Sequence, residues 1–97
     1  MKHEIILAPK AVQDLKRLSA ENRSIVRDAM ERHLRRDPER TSTGRIKRLR
    51  SIIRPQYRLR VGEIRVFYDV VGQDVEALAI VPRSKAAAWL EEMGEVE

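Results

Sequence analysis

The sequence predicts an α+β domain: an antiparallel sheet of about four strands covered by an N-terminal helical hairpin, in the order β-α-α-β-β-β-α. Three observations carry this reading. Apolar residues recur at helical steps through the first third of the chain. Residues 57–61 and 64–70 have strand character around the pair Gly62-Glu63, the first of them alternating with a period of two. Residues 75–81 are apolar as a central strand is. A run of helices followed by a run of strands is the pattern of a helical layer packed on one face of a sheet.

In order, residues 3–8 read as a short first strand. Pro9 suits a first helical position, where a missing N–H costs nothing, and Ala11, Val12, Leu15 and Leu18 carry a helix to about residue 19. The break at 19–22 has Ser19 as a cap residue. A second helix to about residue 36 carries Ile25, Val26, Ala29, Met30, His33 and Leu34 as its apolar stripe. Asp37-Pro38 ends it, because proline disfavours helix in the residue before it. Residues 37–44 are a loop by composition. Residues 45–54 read as an irregular basic connector covering a core edge. Gly72-Gln73-Asp74 is a second turn, Pro82 ends the apolar strand, and residues 83–93 form a last helix with Ala86, Ala87, Leu90 and Met93 inward and Trp89 beside them. The acidic tail 91–97 reads as a frayed end, or as a segment that modulates access to basic surface.

Length places all 97 residues in one domain, 1–97. No apolar run approaches a membrane span, and the apolar stretch after the first residues is too short for a signal-peptide core, so a cytoplasmic protein is expected. Cysteine is absent, which excludes disulfides and thiolate metal sites. His3 and His33 are too isolated to make a metal site; no metal and no cofactor is expected. Net charge is +5, but its distribution says more. Residues 40–65 hold nine Lys or Arg and one acid, while the rest holds eleven bases and fourteen acids. Such concentration is either a solvated face or a polyanion footprint.

The strand pattern bears on that choice. A two-residue turn fixes register, so Val61 opposes Ile64, Arg60 opposes Arg65, Leu59 opposes Val66 and Arg58 opposes Phe67. Alternation then puts Tyr57, Leu59, Val61, Ile64, Val66 and Tyr68 on the buried face. Arg58, Arg60, Arg65, Phe67 and Asp69 share the other. Like charges directly opposite are destabilising; a bound polyanion relieves them, because phosphate accepts paired guanidinium donors. Phe67 is read as an apolar plate for a stacked base, and Arg83, at the end of the next strand, as within reach of the same face. In the solvated reading Asp69 pairs with one of the arginines.

At these residues the sequence resembles the RelE/ParE superfamily of toxins from type II toxin–antitoxin systems. The resemblance runs through Ala8-Pro9-Lys10-Ala11, the helical hairpin, Ile46-Lys47-Arg48-Leu49, the densest stretch at 57–69, and Ala79-Ile80-Val81-Pro82-Arg83-Ser84-Lys85. It implies a RelE-like fold and a metal-independent, ribosome-dependent mRNA endoribonuclease. In that chemistry a 2′-hydroxyl attacks the neighbouring phosphorus while basic side chains stabilise the crowded phosphate. By position, Arg58, Arg60, Arg65 and Arg83 are the catalytic candidates. Arg45, Lys47, Arg48, Arg50, Arg54, Phe67 and Lys85 are the RNA-binding ones. Three positions depart from RelE-type members: Arg58 and Arg60 stand where lysines are usual on the first hairpin strand, and Trp89 stands where a tyrosine is usual on the last helix. Arginine does not readily lose its proton, so Arg58 and Arg60 are clamps on charge rather than bases. The ParE branch shares the fold and inhibits DNA gyrase without nuclease chemistry; it is the alternative. The partners implied are an acidic antitoxin, with the ribosome and mRNA, or gyrase, as target, and no membrane.

Overall fold

The computed structural model describes residues 2–96; Met1 and Glu97, the ends of the domain expected over 1–97, lie outside the described residues. Its centre is the hairpin of β4 (Tyr57–Val61) and β5 (Ile64–Val71). The register is the one the turn dictates: Val61 opposite Ile64, Arg60 opposite Arg65, Leu59 opposite Val66, Arg58 opposite Phe67. Gly62 makes the turn at φ +57°, a backbone region that a side chain would strain. β6 (Asp74–Pro82) folds back antiparallel on β5. A register shift at Phe67 and Tyr68, which face Ala79 and Ala77, makes room for Leu78 as a bulge. β1 (Glu4–Leu7) runs parallel to β6 at one edge.

The sheet is therefore mixed where a wholly antiparallel one was expected, and the other edge differs from expectation too. The stretch expected as an irregular connector contains β2 (Ile46–Arg48), which pairs antiparallel with β4 and makes the sheet five-stranded, in the order β1-β6-β5-β4-β2. Three residues are too few for periodicity to declare a strand. What holds them is distant in sequence: Ile46 is buried opposite Leu59. β3 (Ile52–Arg54) follows outside this sheet.

α1 (Pro9–Arg17) and α2 (Ala20–Leu34) form the expected hairpin, with Pro9 at the start of α1. The break between them is shorter than expected. Ser19 Oγ accepts the Asn22 N–H at 3.1 Å, so α2 begins at Ala20. Arg23 donates to the Leu15 and Leu18 carbonyls and closes the end of α1. The hairpin buries Ala11, Leu15, Val26, Met30 and Leu34 against Ile46, Leu59, Val61, Val66, Tyr68, Val75, Ala77 and Ile80. This is the main core.

The opposite face is not all solvent. α3 (Arg83–Met93) lies across it, with Ala86, Trp89 and Leu90 on a smaller cluster of Phe67, Ala79 and Val81. The tail does not fray over its described part: β7 (Glu95–Val96) pairs antiparallel with β3. That ladder gives α3 a second anchor beyond its own packing. No helix of the described residues is long and apolar enough to cross a membrane.

The loop 37–44 is tied to the core through Tyr68. Its hydroxyl donates to the Pro38 carbonyl, and burial holds its pKa far above the ordinary phenol value. Tyr57 stacks on it at 5.5 Å between ring centroids. Tyr68→Phe removes the donor and leaves the Pro38 carbonyl buried without it, at a cost of about 1–2 kcal/mol. Urea denaturation should show the midpoint fall with an unchanged slope; an unchanged midpoint means the loop is not anchored there.

Candidate functional site

β4 and β5 place Arg58, Arg60 and Arg65 on the face opposite the helical hairpin, and β2 adds Lys47 directly across from Arg58. Four cations therefore spread over three adjacent strands. Arg58 is half-buried. One of its Nη atoms donates to the Gly44 carbonyl at 3.3 Å, while its Nε is buried with no acceptor. Burial, then Arg65 and Arg60, lower its pKa from the usual arginine value; it stays a cation nonetheless. Arg60 is exposed, and its side chain has no hydrogen bond or ion pair among the described residues.

Arg65 is a different kind of residue from its neighbours. It is 8% exposed, and its Nη1 donates to the Gly62 and Ile64 carbonyls at 2.8 and 3.1 Å. It ties the turn as well as contributing charge. Burial and then Arg83 lower its pKa, which places Arg83 in the same field. Arg83 opens α3 with an exposed side chain, 3.8 Å from the Glu63 carboxylate, and its N–H donates to the Glu63 carbonyl. The four residues singled out as catalytic candidates are thus brought into one electrostatic cluster. Glu63, at the tip of the turn, is the carboxylate beside it.

Asp69 shares the face by alternation but does not serve the arginines. It is 6% exposed; its Oδ2 lies 3.1 Å from Arg54 Nε and its Oδ1 accepts the Gln56 N–H at 2.8 Å. Burial raises its pKa, opposed by Gln56 and Arg54. Arg54 also bonds Glu76 at 2.9 Å. Arg54, expected as an RNA-binding residue, thus has its guanidinium engaged by two carboxylates while its side chain stays 48% exposed.

Phe67 is corrected as an RNA-binding candidate. It is 1% exposed and stacks under Trp89, with ring centroids 5.0 Å apart and planes 15° apart. No base can reach its face while α3 is in place. The signal was available in Ala86, Trp89 and Leu90 at helical spacing; what sequence did not show was the face they cover. The remaining candidates scatter. Arg48 lies over the Tyr57 ring at 5.2 Å and donates to the Gln56 carbonyl. Arg50 is exposed between β2 and β3, and Lys85 is exposed on the first turn of α3. Arg45 turns toward α2, into a groove with Arg32 and His33. Among the described residues no three His, Asp or Glu side chains converge as metal ligands.

The sequence matches the family described as the ParE toxin of type II toxin–antitoxin system, parDE, over residues 5–87. No curated protein matches the sequence closely enough to count as a relative. The fold is similar to one chain of a RelBE toxin–antitoxin complex from Mycobacterium tuberculosis, with TM-score 0.73, 21% identity, and 86% of this chain and 100% of that one covered. It is also similar to a chain of the RelB-RelE antitoxin-toxin complex from Methanococcus jannaschii, with TM-score 0.65, 20% identity, and 87% and 96% covered. A chain of the archaeal RelE-RelB complex from Pyrococcus horikoshii gives TM-score 0.65, 22% identity, and 88% and 99% covered.

The groove beside the cluster makes a pH dependence testable. Burial, and then Arg45 and Arg32, hold the His33 pKa below the ordinary imidazole value. A depressed pKa means the unfolded chain binds that proton more tightly. Its stabilising share is present above the ordinary histidine range and is lost as pH falls through the folded-state pKa. Acidifying from about pH 7.5 to about pH 5 should lower the thermal midpoint more in the wild type than in His33→Gln. Parallel midpoint–pH curves for the two proteins would contradict this.

Proposed function

The chain belongs to the ParE toxin family of type II toxin–antitoxin systems, and from that premise we propose that it arrests growth by cutting mRNA at the ribosome with the Arg58, Arg60, Arg65 and Arg83 cluster. The observation that carries this is Arg58: half-buried, flanked by Arg60 and Arg65, with a buried Nε that lacks an acceptor. A cation kept there among like charges is stabilised when an anion docks. Attack of a 2′-hydroxyl forms the bond to phosphorus, breaks the bond to the 5′ oxygen, and leaves a cyclic phosphate. Negative charge crowds on the phosphoryl oxygens in between. Guanidinium donors preorganised around them are each worth about 10²–10³ in rate at comparable oxyanion sites.

None of these arginines takes a proton at working pH. Tyr68 is buried, with its hydroxyl donated to Pro38, so it is no substitute. The proton leaving the 2′-hydroxyl and the one reaching the 5′ oxygen then pass through solvent or through a group of the ribosome. The partner in the resting state is an acidic antitoxin, complementary to a chain of net charge +5. A second reading, inhibition of DNA gyrase without nuclease chemistry, is favoured by one specific observation: the matched family is the ParE family.

The test is induction of wild type and of Arg58→Ala with Arg60→Ala, with methionine and thymidine incorporation followed in time. Neither side chain packs in a core cluster, so the double variant should keep its circular dichroism spectrum. We expect the wild type to stop protein synthesis first and the variant to lose growth arrest. A folded variant that still arrests growth contradicts the site, and thymidine incorporation falling first supports the gyrase reading.

A further inference from the structure

The arginine face ends at the β2 edge, and a second set of cations begins on its far side. α2 supplies Arg32 and His33, the loop after it supplies Arg40, and the residue before β2 supplies Arg45. Together they line a groove of about 300 Å³ that also holds Asp37, Thr43 and Ile46. Arg32, His33 and Arg45 continue into an adjoining hollow of about 340 Å³ that reaches Gly62 at the hairpin tip and includes Asp28. The side chains of Arg32 and Arg45 have no hydrogen bond or ion pair among the described residues, and that of Arg40 has only Ser42 Oγ, at 3.5 Å.

The two cationic surfaces are joined through the backbone at residues 44 and 45. Arg58 donates to the Gly44 carbonyl, and the Arg60 N–H donates to the Arg45 carbonyl at 2.9 Å. A polyanion lying on Arg58 and Arg60 and turning around the β2 edge meets Arg45 next, then Arg32 and Arg40.

We propose that this groove is a second phosphate-binding subsite, which takes the RNA backbone as it passes from the arginine face around the β2 edge. It rests on the RNA-cleaving reading above and adds to it a footprint on both sides of one strand. Free guanidinium forks match phosphate oxygens geometrically as well as in charge. His33, set between Arg32 and Arg45, can donate an N–H to the same anion. An acidic protein segment fits less well. A strand already held on Arg58 and Arg60 reaches these arginines without a separate docking event, because the two surfaces meet at residues 44 and 45.

The test uses the full chain and a short 2′-O-methyl RNA, which lacks the attacking hydroxyl and survives the measurement. Binding is followed by fluorescence anisotropy across a salt series for wild type, for Arg32→Ala with Arg40→Ala, and for Arg58→Ala with Arg60→Ala. Arg32 and Arg40 are exposed, so truncating them leaves the fold intact. The groove variant should bind roughly tenfold more weakly. Its salt slope should be shallower by about 1.4, since two single-strand phosphates are no longer neutralised and each accounts for about 0.7. Wild-type affinity and slope in the groove variant, with weakened binding in the face variant, overturns the subsite and leaves the RNA reading standing. No RNA binding by the wild type removes both. A poly-glutamate peptide of matched charge that binds the wild type as tightly as the RNA, and does not bind the groove variant, overturns it in favour of a protein partner.

Discussion

The register of β4 against β5 decides what each face of this protein is. A period of two means that a slip by one residue exchanges the faces. Leu59, Val61, Val66 and Tyr68 would leave the core, and Arg58, Arg60 and Arg65 would be driven under the helical hairpin. The two-residue turn at Gly62 and Glu63 prevents this, and Arg65 reinforces it by bonding the Gly62 and Ile64 carbonyls. One arginine of the cluster therefore holds the geometry that presents the others. This is why Arg65 cannot be treated as interchangeable with Arg58 and Arg60.

The acids are engaged elsewhere in the fold. Asp69 lies on the same face but turns to Arg54 and Gln56. Glu76 completes that pairing. Asp14 is engaged with Lys10 and with the Ile80 N–H where β1 has ended. Of the carboxylates near the cluster, Glu63 alone approaches it among the described residues, at the long distance of 3.8 Å from Arg83. Like charges thus face each other across β4 and β5 without neutralisation, an arrangement that lowers stability and gains when an anion arrives. α3 shapes the same face differently. By stacking Trp89 on Phe67 it turns half of a candidate binding surface into a second core.

Local rules account for much of this architecture. The turn alone dictates the pairing of Arg60 with Arg65, proline and serine mark the helix starts, and alternation separates Leu59 and Tyr68 from Arg58 and Arg60. What sequence withholds is long-range. β2 is a strand because β4 lies beside it, β3 is one because the tail returns to it, and three residues each carry no periodic signal. Phe67 reads as exposed because alternation says which face a residue takes, not what covers that face. Arg54 reads as a free cation because its partners are fifteen and more positions away. Arg32, Arg40 and Arg45 are assembled only by α2 packing against the sheet.

The most direct measurement is primer extension across abundant mRNAs after a brief induction of this protein alone. Breaks within translated codons, absent when Arg58 and Arg60 are alanine, are the expected result. Intact mRNA accompanied by accumulating gyrase-cleaved DNA would contradict the nuclease assignment and leave the arginine face as a surface for docking a protein.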